Sequence, residues 1–260
     1  MDVLVVGGTG AAGRAAVVAL VERGHTVRAL SRSGATDVPG AVGYRADLST
    51  GAGLAEAVAG VDAVVDAFNV TSQSYEVARK AFVGTTERLL AAEVEAAVGH
   101  HVLLSIVAID GSTYAYYRAK EAQEQAVIAG SVPWTIVRAT QFHEFAGQLA
   151  AQTKFGPFVA IPTFLTRPVA VAEVGGALAD AVEAGPSGRA PDLFGPKVES
   201  VPDMARRTLK ARGVRAVVVP VPLPGKAGAM MRSGVLGGNG VGQQSHETFD
   251  EWVRGEPRRA

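Results

Sequence analysis

Met1–Gly13, reading MDVLVVGGTGAAG, decides the fold. Val3–Val6 is a short, continuous apolar run, the pattern of a strand buried on both faces. Gly7, Gly8, Thr9 and Gly10 follow at once, and Gly13 comes three residues after Gly10. Ala11–Glu22 (AAGRAAVVALVE) reads as a helix. A strand, a glycine turn and a helix are the parts of a dinucleotide-binding unit. Small residues let the backbone approach a pyrophosphate, and the helix N-terminus offers free N–H groups and a partial positive charge. Glycine also serves ordinary tight turns. What favours nucleotide binding is position, at the first strand–helix junction of an alternating chain. The expected cradle is Gly7, Thr9, Gly10, Ala11 and Gly13.

Outward from that turn the alternation continues. Gly24 suits a helix C-cap, and Thr26–Leu30 reads as the second strand. Ser31-Arg32-Ser33 ends it, where a dinucleotide fold meets the adenosine ribose. An acid there favours NAD; a base accommodates the 2′-phosphate of NADP. Arg32 stands there with no acid before Asp37, so NADP is expected over NAD, with Ser31 beside it and Arg14 as a second positive contact. Ala41–Arg45 is a third strand. Asp47 after it either holds the adenine amino group or caps a turn, and a helix Gly51–Ala59 follows. Val61–Ala67 is the fourth strand, and its end places Ala67 and Phe68 under the cofactor. Ser74–Ala97 has helical composition, His101–Ile106 is the fifth strand, Tyr114–Ala129 a helix and Thr135–Ala139 the sixth strand. The fold class is therefore α/β, a doubly wound parallel sheet.

Beyond residue 140 the pattern loosens. Gln141–Gln152, Val171–Ala184 and Pro202–Ala211 read as helices and Val217–Val221 as a strand, while Gly225–Gln244 carries no firm signal. Two domains follow: 1–140 as nucleotide-binding core, and 141–260 as a small substrate-capping lobe interleaved with it. Thr140, Gln141, Phe142 and His143 stand where a substrate pocket begins. His143 suits either an acid or substrate contact, or a helix start with a satisfied hydrogen bond. Phe155, Phe158, Phe164 and Leu165 are candidates for a pocket wall or for core.

Composition narrows the classes. Basic and acidic residues balance at 25 each, so nothing points to nucleic acid or an anionic membrane. The chain has no cysteine, which excludes disulfides, thiolate metal sites and cysteine nucleophiles. No apolar run is long enough to cross a bilayer, and a cytoplasmic protein is expected. His100-His101 falls at the sheet end away from the crevice, and no histidine–acid pair has metal-ligand spacing, so no metal is expected.

The chemistry points to Ser105, Tyr116 and Lys120. Tyr116 and Lys120 are four apart on one helix face, and Ser105 ends the preceding strand. An ammonium near a phenol lowers the phenol's pKa. A phenol so tuned donates a proton to a carbonyl oxygen while hydride arrives, and a serine hydroxyl holds that oxygen. Tyr114 and Tyr117 are neighbours able to present the phenol instead.

With VVGGTGAAGR, LSIVAID, YYRAKEAQE, VPWTIVRATQFHEF and RPVAVAEVGGALADAV, the chain resembles the short-chain dehydrogenase/reductase superfamily, and within it the atypical, NmrA-like NAD(P)-binding branch. The resemblance implies a Rossmann fold with Gly7, Gly10 and Gly13 on the pyrophosphate and Arg32 on the 2′-phosphate. It implies Ser105, Tyr116 and Lys120 as the catalytic set, with Lys120 also on the nicotinamide ribose. Ser105 and Tyr116 are closer in sequence than is typical of the superfamily, and in this branch the tyrosine is often missing or unused. The expected activity is NADP-dependent hydride transfer to or from a carbonyl, alcohol or conjugated double bond of a small, partly apolar molecule. A non-enzymatic NADP-binding regulator, or an isomerase or cyclase without net redox change, uses the same parts. The long helices beside the sheet are candidates to pair two chains as a homodimer.

Overall fold

The computed structural model describes residues 1–72 and 74–255. In chain order the elements are β1 (Asp2–Val6), α1 (Ala11–Glu22), β2 (Thr26–Ser31), β3 (Ala41–Arg45), α2 (Leu54–Val58), β4 (Ala63–Asp66), α3 (Tyr75–Glu95), β5 (His100–Ile106), α4 (Ala115–Ala129) and β6 (Trp134–Ala139). There follow α5 (Phe145–Gln152), β7 (Lys154–Phe155), β8 (Phe158–Pro162), β9 (Leu165–Thr166), α6 (Val171–Ala184), β10 (Gly188–Arg189), β11 (Leu193–Phe194), β12 (Glu199–Ser200), α7 (Val201–Ala211), β13 (Val217–Val221), α8 (Gly225–Arg232), β14 (Gln243–Gln244) and α9 (Phe249–Arg254). The chain forms two units, 1–138 with 171–191, and 139–170 with 192–260.

The first unit holds a parallel sheet whose strands run β6-β5-β4-β1-β2-β3, the doubly wound order. Val3, Leu4, Val5 and Val6 have no exposed surface, as expected of a central strand covered on both faces. α2 starts later than its sequence suggests because Gly51 and Gly53 hold φ at 82° and 77°, left-handed values that a helix cannot use. α3 starts at Tyr75 because the Ser74 hydroxyl accepts from Val77 N.

α6 belongs to this first unit, although the sequence places it past the 140 border. It lies against α1 so closely that a methyl on Gly175 would sit 2.4 Å from the Ala15 carbonyl oxygen. The first unit is thus built from two stretches of chain.

In the second unit, β13, β8 and β7 form a small sheet and β9 pairs with β12. The expected helix from Gln141 begins only at Phe145. Phe142 bridges to Val169 and His143 N donates to Val169 O, which holds the first residues extended. Phe164 is buried against Phe145, whereas Phe155 and Phe158 lie exposed on the β7–β8 ribbon, so they are not core. Gly225–Arg232, unassigned from sequence, is helical.

Candidate functional site

The glycine turn is closed by contacts that admit no side chain. Gly7 holds φ at 74°, and a methyl there would lie 2.9 Å from the Ala67 carbonyl oxygen. A methyl on Gly13 would lie 2.1 Å from the Gly7 carbonyl oxygen. Gly10 N donates to Gly7 O at 2.8 Å, and Arg14 N donates to Gly10 O. Gly10 caps α1 without a side-chain hydrogen bond, and the first turn carries no acid, so among the described residues no side-chain cap competes for its N–H groups. Thr9, Gly10 and Ala11 are exposed around that helix start. Ala67 and Phe68, at the end of β4, lie against the same turn.

The residues after β2 divide by role. Ser31 is buried, and its hydroxyl accepts from Gly34 N and donates to Ala35 O, so it shapes the loop that presents Arg32. Arg32 is exposed. Arg14 pairs with Asp37 at 3.0 Å, so the second positive contact expected beside the glycine turn is already matched by an acid. Asp47 accepts from Ser49 N at 2.8 Å and Ser49 Oγ at 2.6 Å, which makes it a turn cap. Those Ser49 hydrogen bonds, with a smaller contribution from the Arg32 charge, hold its carboxyl below the usual range.

Tyr116 and Lys120 share one side of α4, but their head groups part. The Tyr116 phenol donates to Asn69 Oδ1 at 2.8 Å. The Lys120 ammonium turns inward and donates to Leu104 O at 2.8 Å and Gln123 Oε1 at 2.7 Å. Gln123 in turn donates to Asp66 Oδ2 at 3.1 Å and Thr86 Oγ1 at 3.0 Å. Asp66 Oδ1 accepts from Phe68 N, so this chain of bonds ends on the strand end beneath the glycine turn. Between the two head groups lies Phe82, edge-on to Tyr116 and 5.0 Å from the ammonium.

This corrects the expected tuning. Burial pushes the Tyr116 phenol up to about 12, with the Asn69 amide pulling weakly the other way, and Lys120 does not lower it. Burial lowers Lys120 to about 8 against the opposing charges of Asp66 and Glu124. The phenol is therefore a neutral donor at neutral pH, and the lysine is poised near titration.

Ser105 stands apart from the phenol. Its buried hydroxyl makes no well-formed hydrogen bond among the described residues, and its polar influence falls on Glu124. Glu124 is fully buried and bonded to Arg138 and Arg189, with Asp110 on the far side of Arg138. Burial pushes Glu124 up, but the hydrogen bonds from Arg138 and Arg189, helped by the nearby Ser105 hydroxyl, outweigh it and lower its pKa. Tyr114 and Tyr117 stack edge-on against each other, with Tyr117 buried, which leaves Tyr116 as the phenol on Asn69.

The four residues expected at the substrate are bonded inside the second unit. Thr140 Oγ1 donates to Arg167 O at 2.5 Å, and Thr166 Oγ1 donates to Gln141 Oε1 at 2.5 Å. The His143 ring is fully buried against Phe249 and Trp252, with Nε2 3.2 Å from Glu247 O, so it packs as core and is no surface acid. Phe142 is half-buried. His101 is likewise a core residue, bonded to the buried Glu93 at 2.9 Å. Among the described residues no group of three or more acids and histidines could hold a metal ion, and no helix is long and apolar enough to cross a membrane.

Asn69, Gln123 and Asp66 were not among the sequence candidates. A carboxylate and an amide pointing inward from a strand end and a helix are visible as such only when the buried faces are known.

A doubly wound parallel sheet with a glycine turn and an uncapped first helix defines a dinucleotide-binding α/β protein. The family model described as NAD(P)H-binding matches residues 7–184, well over half the chain, and the chain belongs to that family. Over 152 residues it is 38% identical to the (4-alkanoyl-5-oxo-2,5-dihydrofuran-3-yl)methyl phosphate reductase of Streptomyces griseus, covering 54% of this chain and 48% of that one. The chain thus spans about half the length of this curated relative. Among solved structures, the NAD-bound UDP-glucose-4-epimerase of Stenotrophomonas maltophila superposes with a TM-score of 0.74 at 18% identity, over 98% of this chain and 96% of that one. The Citrobacter sp. triphenylmethane reductase complexed with NADP(H) gives 0.62 at 18% identity, over 85% and 79%. The structural likenesses bear out the fold, and the family match bears out the expected NAD(P) binding.

Proposed function

We propose that this protein is an NADP-dependent oxidoreductase that reduces a carbonyl or conjugated double bond in a small, partly apolar molecule. The observation that carries this is the Tyr116 phenol, held protonated on Asn69 at the strand end against which the glycine turn is packed. The turn fits a dinucleotide: Gly7 and Gly13 let it close backbone against backbone, and the N–H groups of α1 are uncapped. In this reading Gly7, Thr9, Gly10, Ala11 and Gly13 hold the pyrophosphate, and Arg32 the 2′-phosphate. Ala67 and Phe68 floor the site, and Lys120, turned inward onto Gln123, braces the strand end beneath it. The reduced nicotinamide, when bound, supplies hydride. Tyr116 gives its proton to the oxygen of the substrate, and Phe82 keeps water from the inner side of the phenol. Ser105 acts at one remove, through the Glu124 cluster. The Streptomyces relative supports the choice of substrate, since its name is that of a reductase of an oxo-dihydrofuran bearing alkanoyl and phosphate groups.

A second reading, a nucleotide-binding regulator without turnover, draws on Lys120 and Ser105 facing buried partners and not the phenol. One experiment separates them. Fluorescence titration with NADPH and NADH is followed by reduced-nicotinamide absorbance in the presence of aldehydes, ketones and enones. Binding with substrate-dependent loss of absorbance, abolished roughly a hundredfold or more by Tyr116→Phe, is the expected result. Full turnover in Tyr116→Phe rejects the role of the phenol, and absence of binding rejects the cradle.

A further inference from the structure

Asn69 follows β4 by three residues, with an exposed side chain whose Oδ1 accepts a hydrogen bond from the Tyr116 phenol at 2.8 Å. An amide carries an acceptor and a donor on one rotor. A protonated phenol needs the acceptor; the phenolate left after proton transfer needs the donor. A half-turn of the Asn69 amide brings Nδ2–H to the phenolate oxygen. A carboxylate at this place could serve only the first state, and an aliphatic side chain neither.

The same strand end also fixes the neighbouring lysine. Asp66 holds Gln123, which holds Lys120, and Ala67 O between them lies against Gly7. Four consecutive residues, Asp66 to Asn69, thus tie both members of the α4 pair to the glycine turn.

We propose that Asn69 is a positioning residue for proton transfer, accepting from the Tyr116 phenol at rest and donating to the phenolate once its proton has gone to the substrate oxygen. This rests on the reductase reading. In the step, the Tyr116 O–H bond breaks and an O–H bond forms on the substrate oxygen. NADPH, when bound, would supply the hydride of the new C–H bond and with it the two electrons that reduce the carbonyl, leaving the nicotinamide oxidised. The phenolate then regains a proton from water.

The test compares Asn69→Asp, which accepts but cannot donate, with Asn69→Ala, each alone and in a Tyr116→Phe background. Asn69 is exposed, so both variants should fold. Three quantities are read: kcat, the NADPH Kd by fluorescence, and the alkaline phenol titration by difference absorbance, with Tyr116→Phe identifying the Tyr116 component. Expected for Asn69→Asp are a kcat roughly a hundredfold lower, as for loss of a preorganised donor, an NADPH Kd within about twofold, and a Tyr116 titration moved to higher pH. Added to Tyr116→Phe, the same change should cost less than about twofold. Wild-type kcat in Asn69→Asp, an equal loss in the Tyr116→Phe background, or a Kd that worsens in step with kcat would each overturn the proposal. If the wild type binds NADPH and turns over nothing, the reductase reading fails separately. The phenol titration then decides the contact, and an unmoved Tyr116 in Asn69→Asp overturns it.

Discussion

Replacing Gly13 with alanine sets two known effects against each other, and the structure says which wins. In a helix, alanine is favoured over glycine by about 1 kcal/mol. With room to spare, Gly13→Ala would therefore stabilise the protein. A methyl at Gly13, however, would lie 2.1 Å from the Gly7 carbonyl oxygen and 2.7 Å from its carbon. Comfortable separations are roughly 3.5–4 Å, so the turn and the start of α1 must part by more than about 1 Å. Both obstructing atoms are backbone, and no side chain can swing aside. Overpacking of this kind costs typically 1–3 kcal/mol, and the upper end applies here. The net expectation is a loss of roughly 1–2 kcal/mol, or about 2–8 °C in Tm. Spreading the turn also misaims the N–H groups of the cradle, so NADPH should bind at least about tenfold more weakly. Gly84→Ala is the control. It lies within α3, and its methyl would meet only the end of the Arg88 side chain, at 3.5 Å. That change should stabilise by up to about 1 kcal/mol. Urea denaturation and fluorescence titration on both variants provide the measurement. If Gly13→Ala is as stable as Gly84→Ala and binds NADPH as the wild type does, the closed cradle is refuted.

Two further outcomes follow from charges in the first unit. Burial lowers Lys120 from 10.5 to about 8, so between those values the unfolded chain keeps a proton that the folded chain has released. The stability from this group is full above about 10.5 and lost as pH falls through about 8. The wild type should thus gain on Lys120→Met by on the order of 3 kcal/mol from pH 7 to 10.5 in urea denaturation, and a level difference would refute the burial. Arg32→Ala should weaken NADPH about tenfold, the worth of one charge-assisted contact at an exposed site, while leaving NADH unchanged; equal losses for both would place Arg32 away from the 2′-phosphate.

What could be read from the sequence was local or periodic. The glycine turn lies within thirteen residues, and its spacing carries its own physics. The strand order follows from alternation and handedness. The position of α6 was not legible, because what places it on α1 is the bare backbone of Gly175 meeting Ala15 across a long stretch of chain. The spacing of Tyr116 and Lys120 put them on one helix face, and that was correct as far as helix geometry reaches. It could not say where a long side chain ends. Lys120 goes inward because Leu104 O and Gln123 Oε1 wait there as acceptors, and an ammonium in a buried site takes the partners that satisfy it. Gln123 stands one helical turn from Lys120, but Leu104, and Asp66 and Thr86 that hold Gln123 in turn, come from positions no spacing rule connects.

The parting of the two head groups bears on the direction of the chemistry. A lysine beside the phenol would make phenolate accessible and suit either direction. Here the phenol sits up at about 12 on a neutral amide, so at pH 7 only about one molecule in 10⁵ carries the phenolate. Alcohol oxidation begins by taking a proton and would draw on that rare species. Reduction begins from the neutral phenol, which is nearly the whole population. On the proposed assignment, Tyr116 therefore starts as the acid in nearly every molecule at pH 7, which is the form that reduction uses.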